Sequence, residues 1–191
     1  MKKYLLLLIL LIPFSVFAYD IKLDDYNKKD LNQILTDVEN DKFINNEENE
    51  KGIPIYVFYG KECNYSKSFI NFYIDKVLPL YHDKIHIVGF ETWHDSKNQS
   101  LLLGVLEYKK TDYNGSPYII IGNETFEGYT SSYDNQILNA IKNYDKKDIF
   151  EDMNNIQDRD LNNNIKLILL IVLFVSLIIV VLIFNKKKVN Y

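Results

Sequence analysis

The residue best suited to chemistry is Cys63, the only cysteine among the 191 residues of the chain. It follows Ile55–Tyr59, a run of β-branched and aromatic residues that predicts a buried strand ended by Gly60. Helical periodicity begins directly after Cys63. A cysteine at a helix N-terminus meets unpaired backbone N–H groups and the positive end of the helix dipole, and both stabilise a thiolate. The pattern therefore predicts a reactive thiol.

A single cysteine cannot close a disulfide within the chain. Its use as a free thiol, as an intermolecular crosslink or in a mixed disulfide therefore stays open. A lone cysteine is usually buried and inert. Here the polar neighbours Lys61, Asn64 and Ser66 favour a reactive position over an apolar slot.

The three histidines do not form a recognisable site. His82, His86 and His94 lack the spacing of metal ligands, so we predict no metal site, and no cofactor is indicated. A Cys–His hydrolase would need His94 to serve Cys63 as a base, and nothing else in the sequence supports acyl transfer.

The N-terminal residues 1–18 have the pattern of a signal peptide. Lys2 and Lys3 form a positive start, Leu5–Phe14 is apolar, and Val16 and Ala18 are small residues suited to cleavage after Ala18. Export of the following residues is expected from this pattern.

The other end of the chain predicts a membrane anchor. Residues 165–184 contain the uncharged run Leu167–Phe184, long enough to cross a hydrocarbon core of about 30 Å. Lys186–Lys188 follow, so the positive-inside rule predicts a cytoplasmic tail at 185–191, with residues 146–164 as a stalk. We therefore expect a single-pass protein of the cell membrane whose middle domain is extracytoplasmic.

The charge between these end segments is strongly negative. All 26 Asp and Glu residues and 16 of the 22 Lys and Arg residues lie between Tyr19 and Asn164, a net charge of about −10. Such a surface repels phosphate backbones, so no nucleic-acid partner is expected.

Apolar periodicity places the Cys63 segment in an α/β domain. Residues 19–52 form a helical segment and linker, and within residues 53–145 strands and helices alternate, with a hairpin followed by a last helix at the end. The order predicts a four-stranded mixed sheet with helices on both faces. The expected strands are Ile53–Tyr59, Lys84–Phe90, Tyr118–Ile121 and Glu124–Glu127, and the expected helices are Lys28–Ile44, Asn64–Tyr81, one capped by Asp95 and running to Tyr108, and one capped by Ser131 or Ser132 and running to Tyr144.

Over Ile53–Tyr144 the chain resembles the thioredoxin superfamily, and looks closest to its bacterial exported members. Cys63-Asn64-Tyr65-Ser66 stands where the family carries C-x-x-C, and Gly115-Ser116-Pro117 stands where it carries a cis-proline. The remaining motifs are the strand ending Phe58-Tyr59-Gly60, the segment Glu91–His94, and the hairpin Ile119–Tyr129. The resemblance implies a thioredoxin-like fold, and the apolar run described above adds the expected C-terminal transmembrane helix.

The resemblance also implies roles for the site residues. Cys63 would be the nucleophile that attacks a disulfide, and Ser66 would replace the cysteine that resolves the adduct. Asn64 and Tyr65 would contact the substrate, and a cis bond before Pro117 would let the backbone of Ser116 pair with a bound chain. The implied partners are exported proteins with disulfides or thiols, and an external or membrane thiol donor.

Three functions remain open on this sequence. The first is thiol–disulfide exchange through a single nucleophilic cysteine. The second is a redox-inactive module that holds exported polypeptides beside Pro117. The third is a covalent homodimer through Cys63 with structural meaning only.

Overall fold

The computed structural model describes residues 21–44 and 51–188; in its last helix the side chains of 157–162, 164 and 179–188 are outside the description. The predicted signal peptide, residues 1–18, lies outside the described residues. Five strands and six α-helices form within the described ranges. The strands are β1 Lys28–Lys29, β2 Ile53–Tyr59, β3 Ile85–Glu91, β4 Tyr118–Ile121 and β5 Glu124–Glu127, and the helices are α1 Leu31–Asp37, α2 Asn64–Phe72, α3 Leu78–Tyr81, α4 Ser96–Lys109, α5 Asp134–Lys142 and α6 Ile149–Lys188.

The sheet is mixed, with strand order β1-β3-β2-β4-β5. Strands β2 and β3 run parallel in register from Ile53 opposite Ile85 to Tyr59 opposite Glu91. Strand β4 is antiparallel to β2, and β4 and β5 form the predicted hairpin. The α/β class and these four strands are confirmed, with small shifts of boundary.

The predicted count of four strands is wrong because the N-terminal segment supplies a fifth. Lys28–Lys29 pairs antiparallel with β3, where Lys29 lies opposite Gly89. Nothing in a pair of lysines signals a strand, since the pairing depends on an edge of β3 that is distant in sequence. The helix predicted over Lys28–Ile44 accordingly shortens to α1, which begins after the Asp30 capping box.

Two other helices differ from their predicted form. The segment Asn64–Tyr81 contains α2, a π-helical turn at Tyr73–Val77 and α3, with Pro79 in the first turn of α3 where its missing N–H is tolerated. Helix α5 starts only after a 3₁₀ turn at Ser131–Tyr133, and neither serine caps it. Asp95 caps α4 as predicted, accepting the N–H groups of Lys97 and Asn98.

Both faces of the sheet are covered by apolar side chains. On one face, Ile55, Val57 and Tyr59 of β2 join a core formed with α1, α2 and α5. On the other face, Tyr56 and Phe58 alternate with them and are equally buried. Phe58 stacks on Phe90 with ring centroids 5.0 Å apart.

The predicted stalk, residues 146–164, contributes to this second core. Ile149 and Phe150 open helix α6 and are almost fully buried. The Phe150 ring meets Tyr56 edge to face at 4.9 Å, and the hydroxyl of Tyr56 donates to Asp148, whose other carboxylate oxygen accepts the N–H of Phe150. Residues Ile21–Glu151 form one compact unit, and the rest of α6 belongs to a second.

The transmembrane helix predicted over 165–184 is contradicted. Across the part of the chain that the structure describes, no helix is both long and apolar enough to cross a membrane. The predicted single-pass location, with its extracytoplasmic domain and cytoplasmic C-terminus, loses its support with the span.

We expect Phe150→Ala to lower the free energy of unfolding by about 3–5 kcal/mol, because it removes a buried ring and leaves a cavity against Tyr56. Ile156→Ala, on an exposed position of the same helix, should cost less than about 0.5 kcal/mol. Urea unfolding of the full chain followed by circular dichroism measures both values. Equal effects of the two variants would contradict the placement of Phe150 in the core.

Candidate functional site

Cys63 lies at the N-cap position of α2, four residues beyond the last residue of β2. The turn between them is held by the N–H of Gly60, which donates to Ser116 Oγ at 2.8 Å, and by the N–H of Cys63, which donates to the carbonyl of Gly60 at 3.1 Å. The thiol is only 7% exposed. The predicted start of a helix at the cysteine is therefore observed, and the side chain lies just below the surface.

The structure brings Cys63, Ser66 and Ser116 together, although Ser116 is 50 residues beyond Ser66 in sequence. The hydroxyl oxygens of the two serines are 3.1 Å apart, and both side chains are buried. The Cys63 thiol donates to the carbonyl of Ser116 at 3.7 Å. One thiol and two hydroxyls thus lie together, and no second cysteine accompanies them.

The other predicted site residues divide between buried and exposed positions. The Ser116–Pro117 peptide bond is cis, Pro117 is buried, and its carbonyl accepts the N–H of Gly128 at 2.8 Å. Asn64 and Tyr65, in the first turn of α2, point to solvent, and the Tyr65 side chain is 61% exposed. Thus Ser116 and Pro117 form the wall of the site, while Asn64 and Tyr65 form its rim.

The surroundings of Cys63 favour the thiolate. Burial of the sulfur raises its pKa, but hydrogen bonds from the Ser66 hydroxyl, from the N–H groups of Ser66 and Tyr65, and from the Ser116 hydroxyl outweigh that effect and bring the pKa below its ordinary value. The N–H donors belong to the first turn of α2, where intrahelical partners are lacking. Helix start and hydroxyls together can therefore prepare Cys63 as a nucleophile.

Two residues around the site were not assigned a role from the sequence. Tyr113 comes from the loop before β4, and burial raises its pKa, with the charges of Cys63 and Glu127 adding to the rise. Trp93 is 54% exposed and lies flat against Gly60, so close that a Cβ on Gly60 would overlap its indole ring. Trp93 follows the end of a strand and Tyr113 lies in a turn segment, and neither position by itself indicates a place beside Cys63.

Glu91 is the acidic residue nearest to this edge of the sheet. It ends β3, is 5% exposed, and accepts the N–H groups of Lys61, Trp93 and His94 at 3.1, 2.8 and 2.8 Å. Burial alone would raise its pKa, but these donors hold the pKa below its usual range. His94 Nδ1 lies 3.4 Å from the same carboxylate, so the histidine considered as a base for Cys63 pairs with Glu91.

Asp37 also has a buried carboxylate, and its backbone contacts the turn before Cys63. It accepts the hydroxyl of Tyr59 at 2.6 Å and the ammonium group of Lys29 at 2.6 Å. The backbone carbonyl of Asp37 accepts the N–H of Glu62 at 3.3 Å, where the chain has a positive φ of 64°. The N-terminal segment, placed outside the domain by sequence, is therefore part of the scaffold of the site.

Within the described residues no group of three or more His, Cys, Asp and Glu side chains could hold a metal ion. Comparison with protein-family models, with curated proteins and with solved structures found no match. The resemblance to the thioredoxin superfamily therefore stays a prediction. The chemistry assigned to the site depends on the geometry around Cys63.

We expect Ser66→Ala to raise the pKa of Cys63, because the thiolate loses a hydroxyl donor while the burial of the sulfur is unchanged. Alkylation by iodoacetamide near pH 7 should slow by about three- to tenfold, as a shift of one pKa unit changes the thiolate fraction tenfold. Ser68→Ala, on the exposed side of the same helix, is the matched control. An unchanged pH profile in Ser66→Ala would show that the Ser66 hydroxyl does not act on the thiol.

Asp37 should make the domain sensitive to acid. Burial raises its pKa, but the bonds from Lys29 and Tyr59 bring it below the ordinary value of 3.8. A lowered pKa in the folded state adds stability above pH 3.8, and this stability is lost as the pH falls through the folded pKa.

Asp37→Asn should therefore be less stable than the wild type by about 1–3 kcal/mol at neutral pH, and the difference should shrink below about pH 4. Asp75→Asn removes an exposed ion pair with Lys42 and should cost less than about 1 kcal/mol. The measurement is urea unfolding from about pH 3 to 7. A constant difference between Asp37→Asn and the wild type across that range would contradict the lowered pKa.

Proposed function

We propose that the chain performs thiol–disulfide exchange through the single nucleophilic thiolate of Cys63. The thiolate attacks one sulfur of a substrate disulfide, forms a mixed disulfide, and releases the other half of the substrate as a thiolate. An external thiol, as its thiolate, then attacks the mixed disulfide on the substrate sulfur and returns Cys63 to its starting state. Each step exchanges one S–S bond for another, so no further oxidant or reductant is required.

The observation that carries this proposal is the position of the thiol. Cys63 stands at a helix start among two hydroxyls and two backbone N–H groups that lower its pKa, and the position one helical turn later holds Ser66. The serine can stabilise the leaving thiolate of Cys63 by a hydrogen bond, but it cannot form a disulfide. Turnover therefore depends on a thiol from outside the chain.

A thioredoxin-like fold is part of the proposal. It is supported by the parallel pair β2–β3, the antiparallel hairpin β4–β5, and a cis-proline whose preceding residue faces the cysteine. These parts follow one another along the chain in the same order as the motifs on which the resemblance depends.

The rim of the site favours a polypeptide disulfide as substrate. Tyr65 and Trp93 present large exposed aromatic surfaces beside Cys63, and such surfaces gain free energy by covering apolar groups. Candidate clients are proteins with an accessible disulfide or thiol, including the exported proteins that the resemblance implies. A small external thiol or a membrane thiol donor would release them.

The same exposed aromatics also support the second candidate, a redox-inactive module that holds polypeptides. In that case Tyr65 and Trp93 would supply the affinity, and Cys63, only 7% exposed, would add none. The two candidates differ in whether binding and release depend on the thiol.

The test uses the full chain and a labelled peptide that contains one disulfide. The wild type should form a mixed disulfide with release of one thiol per chain, glutathione should reverse it, and Cys63→Ser should form none. Peptide retention that is equal in wild type and Cys63→Ser, without a mixed disulfide, would instead support the holding module. Mass spectrometry under non-reducing conditions identifies both species, and a disulfide-linked dimer of the chain.

The Ser66 position provides a further prediction. Ser66→Cys should gain dithiol reductase activity at least tenfold above the wild type, because a sulfur there lies one helical turn from Cys63 and can resolve the adduct. Ser68→Cys adds a cysteine to the exposed side of the same helix and should gain none. The measurement is turnover of the peptide disulfide with a saturating reductant. Equal gains from the two variants would contradict the proposed geometry.

A further inference from the structure

The carboxylate of Glu91 connects the two loops that border Cys63. Strands β2 and β3 are parallel and end in register, with Tyr59 opposite Glu91, so their following loops leave the same edge of the sheet. One carboxylate oxygen accepts the N–H of Lys61 from the first loop and the N–H of Trp93 from the second, and the other accepts the N–H of His94. A single buried side chain thus joins both loops.

The first of these loops leads into α2, whose first turn carries the Tyr65 and Ser66 donors to the thiol, and it also contacts Ser116, the remaining donor. Lys61 is directly preceded by Gly60, whose N–H is bonded to Ser116 Oγ and whose carbonyl accepts the N–H of Cys63. Moving Lys61 away from Glu91 would therefore move Gly60, and with it the hydroxyl of Ser116 relative to Cys63. The second loop acts at the same point, because the indole of Trp93 lies against Gly60.

We propose that Glu91 is a positioning residue of the Cys63 site, which holds the Gly60–Cys63 turn so that the hydroxyls of Ser66 and Ser116 stay aligned with the sulfur. The inference rests on the proposed function in that it assigns Glu91 a part in preparing the nucleophile. Glu91 does not touch the substrate and acts only through the turn.

A carboxylate suits this position because all its partners are donors. Three backbone N–H groups point at its two oxygens, and an ionised carboxylate accepts without carrying a hydrogen of its own. A glutamine has the same shape, but its NH₂ group would face at least one of these N–H groups. Glu91→Gln therefore breaks part of the connection without changing side-chain volume.

Losing the charge of Glu91 and losing its positioning role would shift the pKa of Cys63 in opposite directions. Removing a nearby negative charge favours a thiolate, so the loss of charge alone would lower the pKa of Cys63. Misalignment of the hydroxyl donors would raise it. The sign of the change in Glu91→Gln therefore separates a positioning role from a simple electrostatic one.

The experiment measures the pH dependence of Cys63 alkylation by iodoacetamide in the full chain, which needs no substrate disulfide. In Glu91→Gln we expect the rate near pH 7 to fall by about three- to tenfold through a raised thiol pKa. Thr92→Val is the matched control, since it removes a buried hydroxyl bond to the carbonyl of Tyr59 at 3.1 Å and leaves the Glu91 contacts in place. It should lower thermal stability and leave the pH profile unchanged.

An unchanged or lowered thiol pKa in Glu91→Gln would overturn the proposal, and so would an equal rise in Thr92→Val. Should Glu91→Gln not fold, amide hydrogen exchange in the wild type decides: the N–H groups of Lys61, Trp93 and His94 must be protected, and rapid exchange of Lys61 would contradict the connection. If the pKa rises as expected but the wild type exchanges no peptide disulfide, the proposed function fails while the role of Glu91 stands.

Discussion

The parallel pairing of β2 with β3 is the constraint on which the rest of the site depends, because it ends with Tyr59 directly opposite Glu91. Parallel strands end at one edge, so the turn that carries Cys63 and the loop that carries Trp93 leave the sheet side by side. Strand β4 runs antiparallel to β2, with Phe58 opposite Tyr118, and this register delivers the preceding residues, Ser116 and Pro117, to the same edge. The Cys63 turn, the Trp93 loop and the Ser116–Pro117 segment therefore meet at this edge, although no local sequence pattern links any one of them to the others.

The three acidic groups of this region follow one physical rule. Burial raises the pKa of Asp37, Glu91 and Cys63, and in each case surrounding donors lower it further than burial raises it. Strand ends and helix starts leave backbone N–H groups without regular partners, so this edge of the domain is rich in donors. At Glu91 and Cys63 most of these donors are backbone N–H groups and hydroxyls, whereas at Asp37 the ammonium group of Lys29 also contributes its charge.

The contacts that favour the thiolate of Cys63 also restrict the access of other molecules to it. The contacts that lower the pKa of the thiol also enclose it, so that 7% of the residue reaches the surface. The rings of Tyr65 and Trp93 are exposed beside it, and in the proposed exchange a substrate that covers them would bring its sulfur close to Cys63. Binding beside the thiol and reaction at the thiol are thus separate properties of neighbouring residues, which is why exchange and holding can be distinguished by experiment.

The sequence alone determined the features that depend on near neighbours. The strand Ile53–Tyr59, the helix start at Cys63, the Asp95 cap and the β4–β5 hairpin follow from apolar periodicity, capping chemistry and turn residues within a few positions. Sequence analysis missed the strand at Lys28–Lys29 and the core position of Phe150, and it wrongly predicted a membrane span at 165–184. Only the tertiary structure decided that Glu91 joins two loops, that Asp37 supports the turn before Cys63, and that Ser116 lies 3.1 Å from Ser66. Apart from the local bond between Glu91 and Trp93, these contacts join residues that are distant along the chain, and strand register and core packing rather than local preference bring them together.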